Sequence, residues 1–562
     1  MKKTLGLALT VALTLAVTGC GKKIGQFKSE YFTTNPNPLE VVGTQVPATV
    51  NANVPAKFFV KNAVVKVTPQ LAYGSSTSTC EPSVFQGEKV RGNNTVISYD
   101  RGGNVSIPVN FFYTPDMIKS ELYLLFSVTQ GKKEYVLPPV KVADGIIATA
   151  ALASVASVQP AIAPDKFQRI INEKYSADIR FLINQAIIRP DQLKTAQMKA
   201  FNKDLADVHA DTSRVIEGIN ISSYASPDGS YAFNEELAQR RETNTTNYIE
   251  RQLKKDKITE FGELTAQFTP EDWEGFQKLV AASNIQDKEL ILSVLSMYQD
   301  PEQREREIRN LANVFEALAD EILPQLRYSR ITASVNVIGK SDAEINHLFD
   351  TDPSKLSDDE LLYAATLTDN LGRKKAIYQT AVKLFPNDFR GYNNLGCIQF
   401  EEGDYAAAKA SFAQAEKRSP RAAEVQMNEG LLDMLNNDYT AANRCFGNAG
   451  GLPELGDALG VYHLKTGDAA AAVKAFGASK TNNAALAQIL TKDYSKARMT
   501  LASIATPDAT TYYLMAVLGA RTNNSQMVTS SLRQAIKLDK AYATMAANDI
   551  EFSKFNLSGV LN

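Results

Sequence analysis

The chain has 562 residues, enough for about three or four domains. Its 44% hydrophobic and 22% charged side chains are the ordinary balance of globular protein. A formal charge of −2 without a basic stripe excludes a nucleic-acid partner. His209, His347 and His463 lie far apart and outside any Cys/His cluster, which leaves no metal site, cofactor site or hydrolytic centre to read.

The first feature in chain order is Lys2-Lys3, the apolar stretch Thr4–Val17, and then Thr18-Gly19-Cys20. A basic start, a short apolar core and small residues before the break mark residues 1–19 as a secretory signal. The core is shorter than the ~20 residues that span a bilayer. A small residue followed by Cys resembles the bacterial lipobox. That resemblance implies that Cys20 carries lipid and anchors the mature chain, stably so with more than one acyl chain. Of the other cysteines, Cys80, Cys397 and Cys445 form no disulfide framework. Cys397 and Cys445 sit among small residues on predicted helices and read as buried apolar fillers.

Residues 20–38 read as a tether closed by Asn35-Pro36-Asn37-Pro38. Over 39–143 the pattern is β, with runs at Ala56–Val60, Val64–Val67, Thr95–Tyr99, Val105–Phe112 and Leu122–Val128 between Gly/Ser/Asn turns. Short strands at this spacing predict an immunoglobulin-like β-sandwich of about 100 residues. The Ala/Ser-rich stretch 144–165, with Pro160 and Pro164, reads as a linker, or as a helical turn or two.

Residues 166–345 predict strand Asp178–Ile188, a helix from Pro190, strand Val215–Tyr224, the turn Ser226-Pro227-Asp228-Gly229 and helix Asn234–Leu253. Strand Ile331–Ile338 follows after an insertion at 256–327. The insertion reads as helical at Glu271–Ala281, Asp287–Tyr298 and Glu302–Leu323, with Trp273 a core aromatic rather than a ligand platform. The stretch from Ile179 to Ala186 and the run Ser223-Tyr224-Ala225-Ser226-Pro227-Asp228-Gly229, followed by Asn234, Leu237, Arg240, Arg241 and Tyr248, resemble the OmpA-like domain.

The resemblance implies a βαβαβ fold that holds peptidoglycan, with an acid after the second strand and an Arg on the next helix clamping a zwitterionic stem peptide. Arg241 stands at the Arg position, where it is either the clamp's cation or a solvated, salt-bridging helix residue. Ser226 stands at the Asp position and cannot neutralise an ammonium. Losing one charge-assisted bond costs roughly 1.5–3 kcal/mol. Asp228, in the same turn, is the candidate substitute, and Asn234 completes the candidate set.

From 357 to 555 the chain repeats. Tyr392, Leu395, Gly396, Ala408, Phe412, Ala415 and Pro420 fall at the positions of the 34-residue tetratricopeptide unit, and neighbouring units follow on both sides. The resemblance predicts a right-handed α-solenoid with a concave groove that binds an extended protein segment or, failing a ligand, acts as a spacer. Asn393, Asn394, Asn428 and Glu429 are the groove candidates.

The whole reads as a multidomain α+β chain, a non-enzymatic lipid-anchored envelope scaffold that resembles proteins of the Bacteroidota type. Peptidoglycan or envelope proteins would meet the middle domain, and a protein or peptide would meet the repeats. The alternative is an assembly factor of an outer-membrane or secretion complex without wall binding. No acidic residue follows Cys20 over Gly21–Gln26. By resemblance to the surface-export rule of such lipoproteins, this places the protein on the periplasmic face of the outer membrane.

Overall fold

Val46, Ala48, Val50, Ala52 and Val54 alternate with polar residues, and this period of two builds the first layer of the protein. The computed structural model describes residues 23–561 apart from 228, 286–287 and 311–315, so Cys20 and Asp228 lie outside the described residues. The chain divides into two units: Met1–Pro164 with Asn370–Asn562, and Asp165–Asp369.

In the first unit the strands are β1 (Phe32–Asn35), β2 (Leu39–Glu40), β3 (Gln45–Val54), β4 (Ala63–Tyr73), β5 (Ser76–Thr79), β6 (Ser83–Gly87), β7 (Thr95–Ile97), β8 (Gly103–Phe112), β9 (Ser120–Gln130), β10 (Lys133–Asp144) and β11 (Ile146–Ile147). One sheet runs β1-β3-β8 and a larger one runs β10-β9-β4-β6-β7, with β5 beside β4. Val50 and Ile107 of the first sheet share one core with Val65, Leu124 and Phe126 of the second, which makes a sandwich. Three expectations change. Ile24 and Phe27 are buried in this core and β1 pairs with β3, so the supposed tether is part of the sandwich from Ile24 onward. Ala56–Val60 is a turn, with Lys57 at φ 67° and Phe59 buried as a plug. The longest strands that the sequence runs did not predict are β10 and β3, and the inward residues of β3 are only small Ala and Val.

The second unit holds β12 (Ile170–Arg180), β13 (Arg214–Tyr224), β14 (Glu263–Thr269) and β15 (Tyr328–Ile338), in the order β12-β15-β13-β14. β15 is antiparallel to β12 and β13, and β14 is parallel to β13, so the C-terminal ends of β12, β13 and β14 share one edge. Helices α1 (Ala196–Ala210) and α2 (Tyr231–Lys255) cover one face. Met198, Phe201, Leu205, Ile249 and Leu253 are buried there against Ile179, Ile219, Ile331 and Val335.

The insertion is not wholly helical. Leu264, Ala266 and Phe268 alternate in β14, and only then do α3 (Trp273–Ala282), α4 (Lys288–Met297) and α5 (Pro301–Asn310) follow around their own small core. The first strand also begins earlier than expected, and 181–188 is a loop. After β15 come α6 (Asp342–Thr351) and α7 (Asp358–Ala364). The Lys340–Glu360 pair at 2.9 Å and the Phe167–Tyr363 ring contact tie this end to the second unit, so the repeat array starts after Asp369 rather than at 357.

The array itself comprises α8 (Leu371–Leu384), α9 (Phe389–Glu401), α10 (Tyr405–Arg418), α11 (Ala423–Leu435), α12 (Tyr439–Asn448), α13 (Leu455–Thr466), α14 (Ala469–Phe476), α15 (Asn482–Leu490), α16 (Tyr494–Ala502), α17 (Ala509–Arg521), α18 (Ser525–Leu538) and α19 (Ala541–Asn548). Each hairpin turns in the same way. Gly403, Asn437, Gly467, Lys492 and Asn523 take positive φ. The next residue then caps the second helix: Asp404, Asp438, Asp468, Asp493 and Asn524 each accept a bond from a first-turn N–H. Such a cap contributes ~1 kcal/mol.

Between the paired helices, a glycine admits a phenyl ring. A Cβ on Gly396, Gly430 or Gly460 would stand 2.4–2.5 Å from Phe412, Phe446 or Phe476. Gly→Ala in an exposed helix gains ~1 kcal/mol, whereas overpacking costs about 1–3 kcal/mol. Gly430→Ala should therefore lower the thermal midpoint. Gly447→Ala in α12, whose Cβ meets nothing within 4 Å, should leave it unchanged or raise it. Calorimetry of the two variants checks the contrast.

Candidate functional site

After β11 the chain makes one 3-10 turn, Thr149–Leu152, and a second turn at Val155–Val158, closed by the Val158 N–H on the Val155 carbonyl at 3.1 Å, and then runs extended from Gln159. Its side chains divide by face: Ala153, Val155, Val158, Pro160, Ala161 and Ala163 are buried, while Ala156, Ser157, Gln159 and Ile162 are exposed. The stretch expected to be a linker is thus a strap packed into the core of the helical array. Burial of its main chain requires partners for N–H and C=O groups, and the array supplies them from side-chain amides.

Asn428 on α11 accepts the Ala161 N–H at 2.7 Å and donates to the Ala161 carbonyl at 2.9 Å. Asn394 on α9 does the same for Ala163, at 2.8 and 3.0 Å. On α15, Asn483 does so for Ser154, both at 2.9 Å, and also donates to Ser157 Oγ. Asn393 adds a second donor to the Ala161 carbonyl at 2.9 Å, and the Cys397 thiol a third at 3.2 Å. Arg390, held by Asp388, reaches the Pro164 carbonyl at 3.4 Å. Each such bond contributes ~1 kcal/mol net. The strap runs from α15 towards α9, against the order of the repeats.

Three of the four groove candidates, Asn393, Asn394 and Asn428, therefore meet on one extended segment. Glu429 is not among them. It faces Glu416 on α10, and burial with that like charge pushes its carboxyl up to about 7. Asn483, Cys397 and Arg390 were not foreseen. Asn483 had a signal: Asn394, Asn428 and Asn483 each stand ten residues before the cap of the following helix, Asp404, Asp438 and Asp493. Ala458 and Leu514 fill that position in the other repeats. Cys397 and Cys445 are buried and unpaired with each other, and burial raises both thiols.

The second candidate lies at the shared strand-end edge of the other unit. Arg241, 0% exposed on α2, is no solvated helix residue. Its guanidinium donates to the carbonyls of Leu182, Gln185 and Tyr224 at 3.3, 3.0 and 2.7 Å and lies over the Phe181 ring. It fastens the loop after β12 to the end of β13. Ser226 is buried and accepts from Arg327 Nε at 3.1 Å.

Asn234 donates to the Gly229 carbonyl and to Glu271, whose other oxygen accepts the Trp273 indole N–H at 3.0 Å. Asp272 caps α3 and accepts from the Tyr328 hydroxyl, which burial and Asp272 hold well above its ordinary pKa. Ser226, Asn234 and Arg241 do converge here, joined by Glu271, Asp272 and Arg327, which the sequence had not singled out. Trp273 packs on Phe276 as expected of a core aromatic. Among the described residues no group of three His, Cys, Asp or Glu side chains forms a metal site.

A tetratricopeptide-repeat family model matches residues 377–410, which span α8 to the start of α10. No curated protein matches the chain. Among solved structures the chain is similar to a tetratricopeptide repeat protein from Parabacteroides merdae (12% identity, 37% of this chain and 91% of that one, TM-score 0.30). It is also similar to PilF of Pseudomonas aeruginosa (16% identity, 37% and 99%, TM-score 0.28). A third is YrrB, described as a repeat protein with an unusual peptide-binding site (17% identity, 37% and 99%, TM-score 0.20).

The Glu429 carboxyl gives a pH test. Its folded pKa is raised from 4.5 to about 7, so the folded state holds the proton more tightly. Its contribution is fully present below the unfolded pKa and is lost as pH rises through about 7. Glu429→Gln should raise the thermal midpoint at about pH 8 relative to wild type, and the gap should close near pH 5. Melting curves at the two pH values decide it.

Proposed function

We propose that this protein is a non-enzymatic scaffold of the bacterial envelope, lipid-anchored at Cys20 on the periplasmic face of the outer membrane, whose repeat array holds a protein partner. The observation that carries this reading is the asparagine ladder of Asn394, Asn428 and Asn483. Each side chain matches both main-chain groups of one extended residue, which is how a surface grips peptide without regard to its sequence. A photo-crosslinker placed at Ile162, 42% exposed on the outer face of the strap, should capture a discrete partner in intact cells. Adducts no more specific than those at a remote surface site would defeat the proposal. For the anchor, cells fed a labelled fatty acid should label the wild type and not Cys20→Ala, and the variant should leave the membrane fraction.

A second observation favours the assembly-factor form of this reading, without peptidoglycan binding. In the OmpA-like reading of the second unit, Arg241 would grip a stem-peptide carboxylate, yet its donors hold three carbonyls. At the expected anion position, Ser226 receives a bond from the cationic Arg327. Purified sacculi should then retain wild type and Arg241→Lys equally, both at the level of an unrelated lipoprotein. Strong retention of the wild type alone would restore wall binding.

A further inference from the structure

We infer that residues 153–164 are a latch: a cis ligand that fills the array's peptide groove and yields it to a partner segment of the same chemistry. This rests on the scaffold reading above and names what the groove accepts. The occupant runs from α15 to α9 with a turn at Val155–Val158 and an extended stretch from Gln159, small at the positions of Ala161 and Ala163, no larger than Val at those of Val155 and Val158, with Pro160 buried between them. The amide ladder reads main chain, and the closed pockets around Ala161 and Ala163 read size.

Three observations distinguish a latch from a permanent core strand. The helix pairs are already closed by their own glycine–phenyl contacts, Gly396 with Phe412, Gly430 with Phe446 and Gly460 with Phe476, none of which involves the strap. The strap's buried side chains are only Ala, Val and Pro, so it brings little apolar area of its own to the core it packs against. Its polar holders are side-chain amides at the surface of a groove, which water satisfies in its absence. A covalently attached ligand nevertheless competes at an effective concentration in the mM range, so a free peptide of equal intrinsic affinity gains the groove only weakly while the latch is intact.

Cys397 makes the latch observable, since its thiol lies beneath the Ala161 carbonyl at 3.2 Å and is fully buried. The test uses the full chain and a fluorescein-labelled synthetic peptide with the sequence of residues 153–165. Ala161→Glu places a charge in a closed pocket and should release the strap. It should bind the peptide at least about tenfold more tightly than wild type, as expected when an attached competitor is removed. In the same variant Cys397 should alkylate at least about tenfold faster, as burial of a thiol governs its reactivity, and added peptide should slow it again. Asn428→Ala in that background should abolish both the binding and the reprotection.

A folded Ala161→Glu protein that binds no peptide, or whose Cys397 stays as slow as in wild type, would overturn the latch. If the variant does not fold, hydrogen exchange of the wild type decides. Ala161 and Ala163 amides exchanging ahead of α11 support the latch, and exchange only with global unfolding overturns it. A failed crosslink in cells removes the partner and leaves the latch standing; a failed peptide experiment removes the latch and leaves the partner.

Discussion

A peptide group taken out of water needs a donor and an acceptor in return, and in this protein the side-chain amide of asparagine provides both at once. The geometry is that of a strand pairing with its neighbour, with Asn394, Asn428 and Asn483 standing in for the neighbouring backbone. Without that match the strap would leave buried N–H and C=O groups unsatisfied, each costing about 1–3 kcal/mol. With it, residues 153–164 can lie against helices that have no free main-chain groups to offer. The β-sandwich is joined to the array through the same path. Gly43 lets its backbone abut the carbonyl of Lys465, and the Thr149 hydroxyl meets Glu551 at 2.7 Å just before the strap begins.

The second unit solves a related problem with one side chain. Its three parallel strand ends leave loop carbonyls pointing at one edge, and Arg241 collects those of Leu182, Gln185 and Tyr224. A buried guanidinium in that role orders loops. Glu271 and Asp272, brought by β14 and the start of α3, add two acids to the same edge and organise Asn234, Trp273 and Tyr328 around them. The insertion is therefore built into the sheet through β14.

The repeats were legible because their signal is local and recurs: a glycine facing a phenyl ring, then an Asp at the turn. The extent of β12 was not, because Leu182, Ile183 and Ile187 prolong the apolar pattern into a loop where they stay exposed, while the first half of the true strand carries the polar run of Asn172, Glu173 and Lys174 after Ile170 and Ile171. β14 was hidden by its length and by helical spacing on its C-terminal side. The groove asparagines could be named from the repeat register, but their ligand could not. Ala/Ser composition says nothing of burial when the partners lie hundreds of residues away. Asn483 was within reach by counting back from Asp493, and Glu429 does not join the asparagines because it is turned towards Glu416 on α10.

The strap also sets an order for folding. It is synthesised well before its groove, and its contacts with Asn394 and Asn483 span 231 and 329 residues. Closing so long a loop is slow and entropically costly. The second unit lies within that loop, and its two ends meet: Phe167 packs on Tyr363 with ring centroids 4.4 Å apart. Once that unit has folded, the span from Ala163 to Asn394 shrinks to roughly 35 free residues, a saving of about 2 kcal/mol in closure entropy. The inserted unit thus serves as a splint for the groove, and lesions that loosen it should slow the seating of a strap it never touches in sequence.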